Sequence, residues 1–275
     1  MIISRTFDCD VLIIGAGGAA LRSAYESAKR HTTVIVIEKG VAGNSGATVS
    51  QNSQSLAWQM ADECSLDDSP KEHARNIVDI GLGVANKHLA SLLAEEVVDV
   101  SMELQQLGMC FIPDPAGIKP HYSGYSCFGN RARAHGLMNE GFGHGGNVVQ
   151  TLLKHLDFDY AQIHNKVFGC DLLVRDGVCY GALALADDDQ WILYKARATI
   201  VATGGAWQIF PPELGKELIN TSGDGYAMGY RGGADLANME FMQYMLHRVK
   251  PFGVEVPGVY WALEPNVVNR YGESV

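Results

Sequence analysis

The sequence lacks the closely spaced cysteine pairs that hold zinc or iron–sulfur clusters. None of its six cysteines forms a C-x-x-C pair; they are Cys9, Cys64, Cys110, Cys127, Cys170 and Cys179. The usual metal-binding patterns are therefore absent, and free thiols in a reducing cytosol are the expected state.

Long hydrophobic runs are also missing. The longest early apolar run, residues 11–14, ends in glycines, and no stretch approaches the ~20 apolar residues that span a bilayer. No signal peptide is recognisable either. We therefore expect a cytoplasmic protein without direct membrane insertion, peripheral at a membrane only through a partner subunit.

Positive charge is scarce. Lys and Arg number 21 against 31 Asp and Glu, which gives a formal net charge of -10. This balance argues against a general electrostatic grip on nucleic acid, so no nucleic-acid partner is expected. Any anionic ligand must be held by local groups. With 275 residues, of which 47% are hydrophobic, the chain can nevertheless bury a sizeable core.

The hydrophobic pattern that is present predicts an α/β fold. Residues 10–14 and 33–37 form two short apolar runs typical of buried parallel strands, and residues 19–29 between them show helical spacing. This is a βαβ unit with a right-handed crossover. Short strands over 163–194, with a turn at Asp176-Gly177, predict a β-meander, and residues 198–202 predict another buried strand.

The rest of the chain alternates loops and helices. Residues 41–70 are predicted to be a ligand-facing loop, and 124–146 a second, glycine-rich loop. Helices are predicted over about 70–107, 147–155 and 223–232. In the first of these, a buried stripe is expected from Leu89, Leu92, Leu93, Val97, Val100 and Leu104.

The turn between the first strand and helix carries a dinucleotide-binding fingerprint. It reads Gly15, Ala16, Gly17, Gly18, Ala19 and Ala20, with Glu38 at the end of the second strand. Gly15 allows the tight turn, and Gly17 allows a pyrophosphate to approach the main chain closely because it has no side chain. Ala20 is small enough for the helix to pack closely against the strand. The helix N-terminus supplies amides for phosphate, and Glu38 is placed to accept from ribose hydroxyls.

Further motifs decide which dinucleotide is bound. These are Asn44-Ser45-Gly46-Ala47-Thr48, the strand end Ala202-Thr203-Gly204-Gly205, Ser222-Gly223-Asp224-Gly225, residues 227–234 and residues 238–243. In order and spacing they resemble the flavoprotein subunits of the fumarate reductase and succinate dehydrogenase family, which includes L-aspartate oxidase. The resemblance covers nearly the whole chain. It implies a Rossmann-like FAD-binding domain built of a parallel sheet, crossover helices and a β-meander.

The fingerprint and the resemblance together name the expected FAD contacts. They are Gly15, Ala16, Gly17, Gly18, Ala19, Ala20, Glu38, Lys39, Asn44, Ser45, Gly46, Thr48, Val167, Ala202, Thr203, Gly204 and Asp224. No metal ligand is expected.

The sequence departs from the family at several points, two of which concern the expected attachment of the cofactor and the expected substrate contact. Where succinate dehydrogenases attach flavin to a histidine, residues 45–50 contain none, so non-covalent FAD is expected. Where the family has a substrate-binding histidine, this chain has Met245, which cannot donate a hydrogen bond to a carboxylate. His247 and Arg131 are the remaining catalytic candidates.

The resemblance implies an FAD-dependent oxidoreductase that transfers hydride to or from a small organic acid of the fumarate or succinate type, with a possible electron-transfer partner subunit. The alternatives are an L-aspartate oxidase-like or adenylylsulfate reductase-like flavoprotein, or an FAD-binding module without turnover.

Residues 1–242 are assigned to the FAD-binding domain and 243–275 to the start of a capping domain. The chain by itself is expected to bind FAD loosely or not at all, and not to reduce fumarate.

Overall fold

The computed structural model describes residues 2–49, 57–61, 67–119, 121, 123–124, 131–138, 145–209, 220–241, 247–248, 254–255 and 266–274. The chain divides into two compact units. Unit 1 comprises Met1–Ser53 and Asn139–Tyr244, and unit 2 comprises Gln54–Met138 and Met245–Val275. The assignment of residues 1–242 and 243–275 to separate domains stays a prediction.

Eleven strands and five α-helices are described. In chain order they are β1 (Ile3–Ile14), α1 (Gly18–Ala28), β2 (Val34–Glu38), β3 (Ala57–Gln59), α2 (Pro70–Ile80), α3 (Lys87–Gln106), β4 (Ser123–Gly124), β5 (Ala134–Gly136), α4 (Gly146–Lys154), β6 (Ala161–Asn165), β7 (Val167–Arg175), β8 (Val178–Ala186), β9 (Trp191–Val201), α5 (Asp224–Arg231), β10 (His247–Arg248) and β11 (Val254–Glu255).

Unit 1 is organised around a six-stranded sheet with the order β6-β2-β1-β9-β8-β7. Strands β6, β2, β1 and β9 run parallel, whereas β7, β8 and β9 form an antiparallel meander. The predicted α/β class, with crossover helix and meander, is confirmed. Helix α1 packs on β1 and β2 and also contacts α4.

Both faces of the parallel sheet are buried, which explains the continuous apolar runs of β1 and β2. Successive side chains of a strand point to opposite faces. Ile13 and Val36 belong to the cluster that contains the α1 residues Ala20 and Ala24. On the other face, Leu12, Ile14, Ile35 and Ile37 share a cluster with Ala182 and Ala184 of β8 and Ile192 and Tyr194 of β9.

Strand β1 is longer than the five residues that its apolar run predicts. Its first half, from Ile3, pairs in parallel with β9 from Trp191 onward, and most of these early residues are exposed or half-buried. Such a segment carries no continuous apolar run, so only its pairing partner far along the chain reveals it. The β7–β8 hairpin was predictable because Asp176 and Gly177 both adopt positive φ, as a two-residue hairpin turn requires.

Unit 2 contains a helical pair where a single helical block was expected. Helix α2 begins after Ser69, whose side chain accepts a hydrogen bond from the Glu72 amide at 3.1 Å, and Pro70 fills its first turn. Helix α3 begins after Asn86, which caps the Leu89 amide in the same way at 3.1 Å. Two separate N-caps therefore divide the block.

The buried face of α3 differs from the expected stripe. Leu104 is buried as expected, but Leu89, Leu92 and Leu93 are exposed. The other buried residues of α3 are the small side chains Ala90, Ala94 and Ser101. Because small residues let neighbouring elements approach closely, they form the packing face, which a pattern of large apolar residues alone does not identify.

A buried ion pair ties the start of α2 to the segment before β5. Arg133 and Asp68 are each about 1% exposed, and the guanidinium binds the carboxylate through two hydrogen bonds of 2.8 and 2.5 Å. Arg133 Nη1 also donates to Asn76 Oδ1 at 2.9 Å. Both charged groups of the pair are hydrogen-bonded and buried. Because the protein interior has a low dielectric constant, removal of either partner would strongly lower the stability of the fold.

The described residues contain neither a membrane-spanning helix nor a metal-binding cluster. None of the helices in those ranges is long and apolar enough to cross a membrane. Within the same ranges, no three His, Cys, Asp or Glu residues lie together in a way that could hold a metal ion.

Asp68→Asn should lower the free energy of unfolding by about 3–5 kcal/mol, because it leaves the buried Arg133 guanidinium without its counter-charge. Denaturant unfolding monitored by circular dichroism measures the effect. Asp176→Asn is the matched control, since Asp176 and its partner Arg175 are almost fully exposed, and it should change stability by less than about 0.5 kcal/mol. Equal effects would contradict a structural role for the buried pair.

Acid should destabilise the chain through His73. This side chain is buried, its Nδ1 has no hydrogen-bond partner in the described ranges, and burial, followed by the nearby Arg133 charge, lowers its pKa below the ordinary 6.5. The unfolded chain therefore binds more protons, so stability is full above about pH 6.5 and falls as the pH drops towards the lower folded pKa. His73→Gln should flatten this part of the profile of unfolding free energy against pH, whereas His88→Gln, at an exposed position, should leave it unchanged.

Candidate functional site

Three parallel strands of unit 1 end side by side and form the floor of the candidate site. Ile14 is in register with Ile37 of β2 and with Val201 of β9. Just beyond the strands, the Gly15 amide donates to the Ile37 carbonyl and the Ala202 amide donates to the Ile14 carbonyl, both at 2.8 Å. Ligands of open parallel sheets bind at this carboxyl edge.

Gly15 is required by the geometry of this floor. Its φ of +106° is unfavourable for residues with a side chain. A Cβ atom at this position would also overlap the main chain of Ala202. The first fingerprint glycine therefore allows two strand ends to approach each other while the chain turns into α1.

A cavity of about 170 Å³ opens above these strand ends. The structure brings together in its wall most of the residues assigned to the cofactor from sequence. They are Gly15, Ala16, Gly17, Gly18, Ala19, Glu38, Lys39, Gly46, Thr48, Val167, Ala202, Thr203, Gly204 and Asp224. They come from the ends of β1, β2 and β9, the starts of α1, β7 and α5, and the loop after β2.

Three of the assigned residues lie outside the cavity wall. Ala20 is fully buried in the core between α1 and the sheet. The Asn44 amide closes a turn on the Val41 carbonyl at 3.0 Å. Ser45 donates its hydroxyl to Glu38 Oε1 at 2.9 Å, so its contact is with a wall residue.

Glu38 joins the glycine turn to the loop after β2. The residue is buried, with 8% of its surface exposed. Oε2 accepts from the Ala16 amide, and Oε1 accepts from the Gly40 amide, both at 2.8 Å, in addition to the Ser45 hydroxyl. A carboxylate has about four acceptor positions, so one remains for a ligand hydroxyl.

Lys39 and Asp224 form an ion pair in the cavity wall. Lys39 Nζ lies 2.6 Å from Asp224 Oδ2 and 2.7 Å from Ser222 Oγ. Both charged side chains are about four-fifths buried. The ammonium also lies 5.9 Å from the centre of the Phe168 ring, within reach of a cation–π interaction.

The N-terminus of α1 faces the cavity with little side-chain cover. Its N-cap is Gly17, which has no side chain to cap the helix. Thr48 Oγ1 accepts from the Gly18 amide at a long 3.3 Å. A Cβ at Gly17 would meet nothing closer than Thr48 Oγ1 at 3.8 Å, so the main chain is open to a ligand. Helix amides and the helix dipole favour an anion here.

The start of α5 is held near the end of β9 by hydrogen bonds, one of which involves Thr203. The Gly225 amide donates to Thr203 Oγ1 at 3.0 Å, and a Cβ at Gly225 would overlap that hydroxyl. The glycine of the Ser222–Gly225 motif therefore fits the helix against Thr203. This contact places Asp224 in the cavity wall.

The two catalytic candidates lie in unit 2. Arg131 is one-third exposed, with its guanidinium 3.8 Å from Glu72. His247 lies in β10, in register with Glu255 of β11. Met245 and Ser50 fall outside the described residues.

Several wall residues were not assigned from sequence. They are Ile14, Ile37, Ala47, Phe168, Gly169, Asn220 and Thr221. Ile14 and Ile37 end the two buried strands, so the rule that ligands bind at carboxyl ends could have found them. Asn220 and Thr221 directly precede the Ser222–Gly225 motif, and their proximity to it was the available signal.

Comparison with known proteins identifies the family. The profile of a family described as FAD binding domain matches residues 10–263. One subunit of the fumarate reductase (CoM/CoB) of Methanothermobacter marburgensis is 29% identical over 243 residues, covering 88% of this chain and 43% of that protein. The chloroplastic L-aspartate oxidase 2-a of Nicotiana tabacum is 28% identical over 240 residues, covering 86% and 35%.

A solved structure shares the fold. The FrdA protein of E. coli quinol fumarate reductase superposes with a TM-score of 0.77 at 24% identity, over 98% of this chain and 44% of that one. The chain thus spans less than half the length of these relatives. The family resemblance inferred from the motifs is confirmed.

Gly15→Ala should destabilise the chain by at least about 2 kcal/mol more than Gly177→Ala. Both substitutions place a side chain at positive φ, which costs roughly 1–2 kcal/mol. At Gly15 the new Cβ would also overlap the main chain of Ala202, whereas a Cβ at Gly177 would meet no atom within 4 Å. Thermal unfolding of the two variants measures the difference, and equal shifts in Tm would contradict the close approach.

Proposed function

The chain belongs to the FAD-binding domain family, and on that premise we propose that it holds FAD non-covalently in the cavity of unit 1. We further propose that it is the cofactor-binding part of a flavin-dependent oxidoreductase. The observation that carries the proposal is the convergence of the glycine turn, Glu38 and Asp224 on one cavity at the carboxyl edge of a parallel sheet.

The residues present fit the adenosine and pyrophosphate portions of FAD. A pyrophosphate needs amide donors and an approach free of side chains, which the α1 N-terminus at Gly17 provides. A ribose needs a fixed hydrogen-bond acceptor, and Glu38 is fixed by two amides and a hydroxyl. Val167, at the first position of β7, offers main chain to the adenine.

The composition of the wall supports non-covalent binding. Covalent flavin attachment in proteins needs a nucleophilic side chain such as histidine, cysteine or tyrosine. In the described part of the chain, the residues that line the cavity include none of these three types. The wall holds the cofactor by amides, hydroxyls and carboxylates.

The expected reaction is hydride transfer to or from a small organic acid of the fumarate or succinate type, with the flavin ring supplying the redox chemistry. The names of the fumarate reductase and L-aspartate oxidase relatives support this substrate class. The chain's own part is to bind the nucleotide end and hold it in position. Arg131 and His247 stay the candidates for substrate contact, and an electron-transfer partner subunit is proposed because the fumarate reductase relative is itself named as one subunit of its enzyme.

The experiment is a titration of the purified chain with FAD, followed by acid precipitation of the complex. Because the cavity already offers helix amides and a fixed acceptor for the nucleotide end of FAD, we expect loose but saturable binding, seen as quenching of flavin fluorescence, rather than no binding. All flavin should appear in the supernatant after precipitation. Flavin that stays on the precipitated chain would refute non-covalent binding. The complete absence of saturable binding would refute the assignment of the cavity to FAD.

A further inference from the structure

The cavity places carboxylates where the proposed cofactor carries negative charge. Its wall contains Glu38 and Asp224, and Lys39 is the one Lys or Arg that lines it in the described part of the chain. The whole chain has a formal net charge of -10. A dianionic pyrophosphate can enter such a site only if the wall carboxylates are compensated.

The two carboxylates are compensated in different ways. Glu38 is held by the amides of Ala16 and Gly40 and by the Ser45 hydroxyl, all of them neutral dipoles. Asp224 has the Ser222 hydroxyl at 3.0 Å and the Lys39 ammonium at 2.6 Å. Asp224 therefore depends on the charge of another side chain, whereas Glu38 depends mainly on main-chain amides.

We propose that Lys39 acts as the counter-ion and positioning residue of Asp224, and that it aids FAD binding by neutralising this carboxylate rather than by contacting the phosphates. This inference rests on the proposed function. The donors of the ammonium are already directed to Asp224 and Ser222, and Phe168 lies against it. Two of the three ammonium donors are thus committed to Asp224 and its neighbour Ser222.

The pair also fixes the direction of the Asp224 carboxylate. Asp224 is the first residue of α5, and Lys39 follows directly after the last residue of β2. The ion pair thus joins two elements that are far apart in sequence. Without the ammonium, Asp224 would be an unpaired and largely buried charge beside the cofactor, and its carboxylate would turn towards solvent.

A double-mutant cycle on FAD affinity tests the proposal, with Kd measured by flavin fluorescence for the wild type, Lys39→Met, Asp224→Asn and the double variant. Lys39→Met should raise Kd about tenfold in the wild-type background. In the Asp224→Asn background the same change should raise Kd less than about threefold, because no carboxylate remains to be neutralised. An equal factor in both backgrounds would show that Lys39 acts on the cofactor directly and would overturn the proposal.

Three further variants make the cycle decisive. Lys39→Arg keeps the charge and should keep Kd within about threefold of the wild type. Lys39→Met keeps most of the side-chain volume but loses the charge, so the contrast between the two variants separates charge from packing. Lys195→Met removes the same charge from an exposed position of β9 and should leave Kd unchanged. Lys39→Gln is a second variant without the charge. If circular dichroism shows that Lys39→Met does not fold, the same cycle is measured with Lys39→Gln in its place.

Failure of the inference and failure of the proposed function are distinguishable. A wild-type chain that binds FAD but gives an additive cycle overturns only the role of Lys39. A wild-type chain that shows no saturable FAD binding overturns the proposed function and this inference with it.

Discussion

The close approach of Gly15 to Ala202 is the constraint on which the rest of unit 1 depends. Two hydrogen bonds of 2.8 Å connect the ends of β1, β2 and β9 around this glycine, and the space that a Cβ would need is taken by main chain. Because the chain turns here without a side chain, α1 starts directly over the strand ends. The floor of the cavity is therefore backbone, and the specific side chains stand around it.

That arrangement explains how an acidic protein can offer a site for an anion. The attraction comes from oriented amides at the α1 N-terminus, whose effect is local and independent of the net charge. The two carboxylates of the cavity wall are tolerated beside such a site because each is paired within the chain. Glu38 uses the glycine turn itself, through the Ala16 amide, so the group proposed to bind ribose and the turn proposed to bind phosphate support each other.

The sequence predicted the parts of the fold that are set by local rules. The βαβ unit, the fingerprint turn and the Asp176-Gly177 hairpin all follow from periodicity or from residues with special φ. The division between α2 and α3 was missed although Ser69 and Asn86 are good capping residues, because the expectation rested on the spacing of large apolar residues, which lie within α3 and do not mark where a helix begins. The pairs Arg133–Asp68 and Lys39–Asp224 join residues far apart in sequence, and no local pattern contains them.

Most of the cavity wall was assigned because its glycine motifs occur in a fixed order, whereas Asn220 and Thr221 belong to no such motif.

The pairing of β1 with β9 has a consequence for how the chain folds as it is synthesised. Strand β1 leaves the ribosome early and finds its parallel partner only when residues 191–201 have emerged. Until then one edge of β1 stays unpaired, and loop-closure entropy opposes the contact. The local βαβ unit can form early, but the half of β1 before residue 10 has no other strand of the described sheet to pair with. The cavity is consequently a late product of folding, since its floor requires β9 to be in place beside β1.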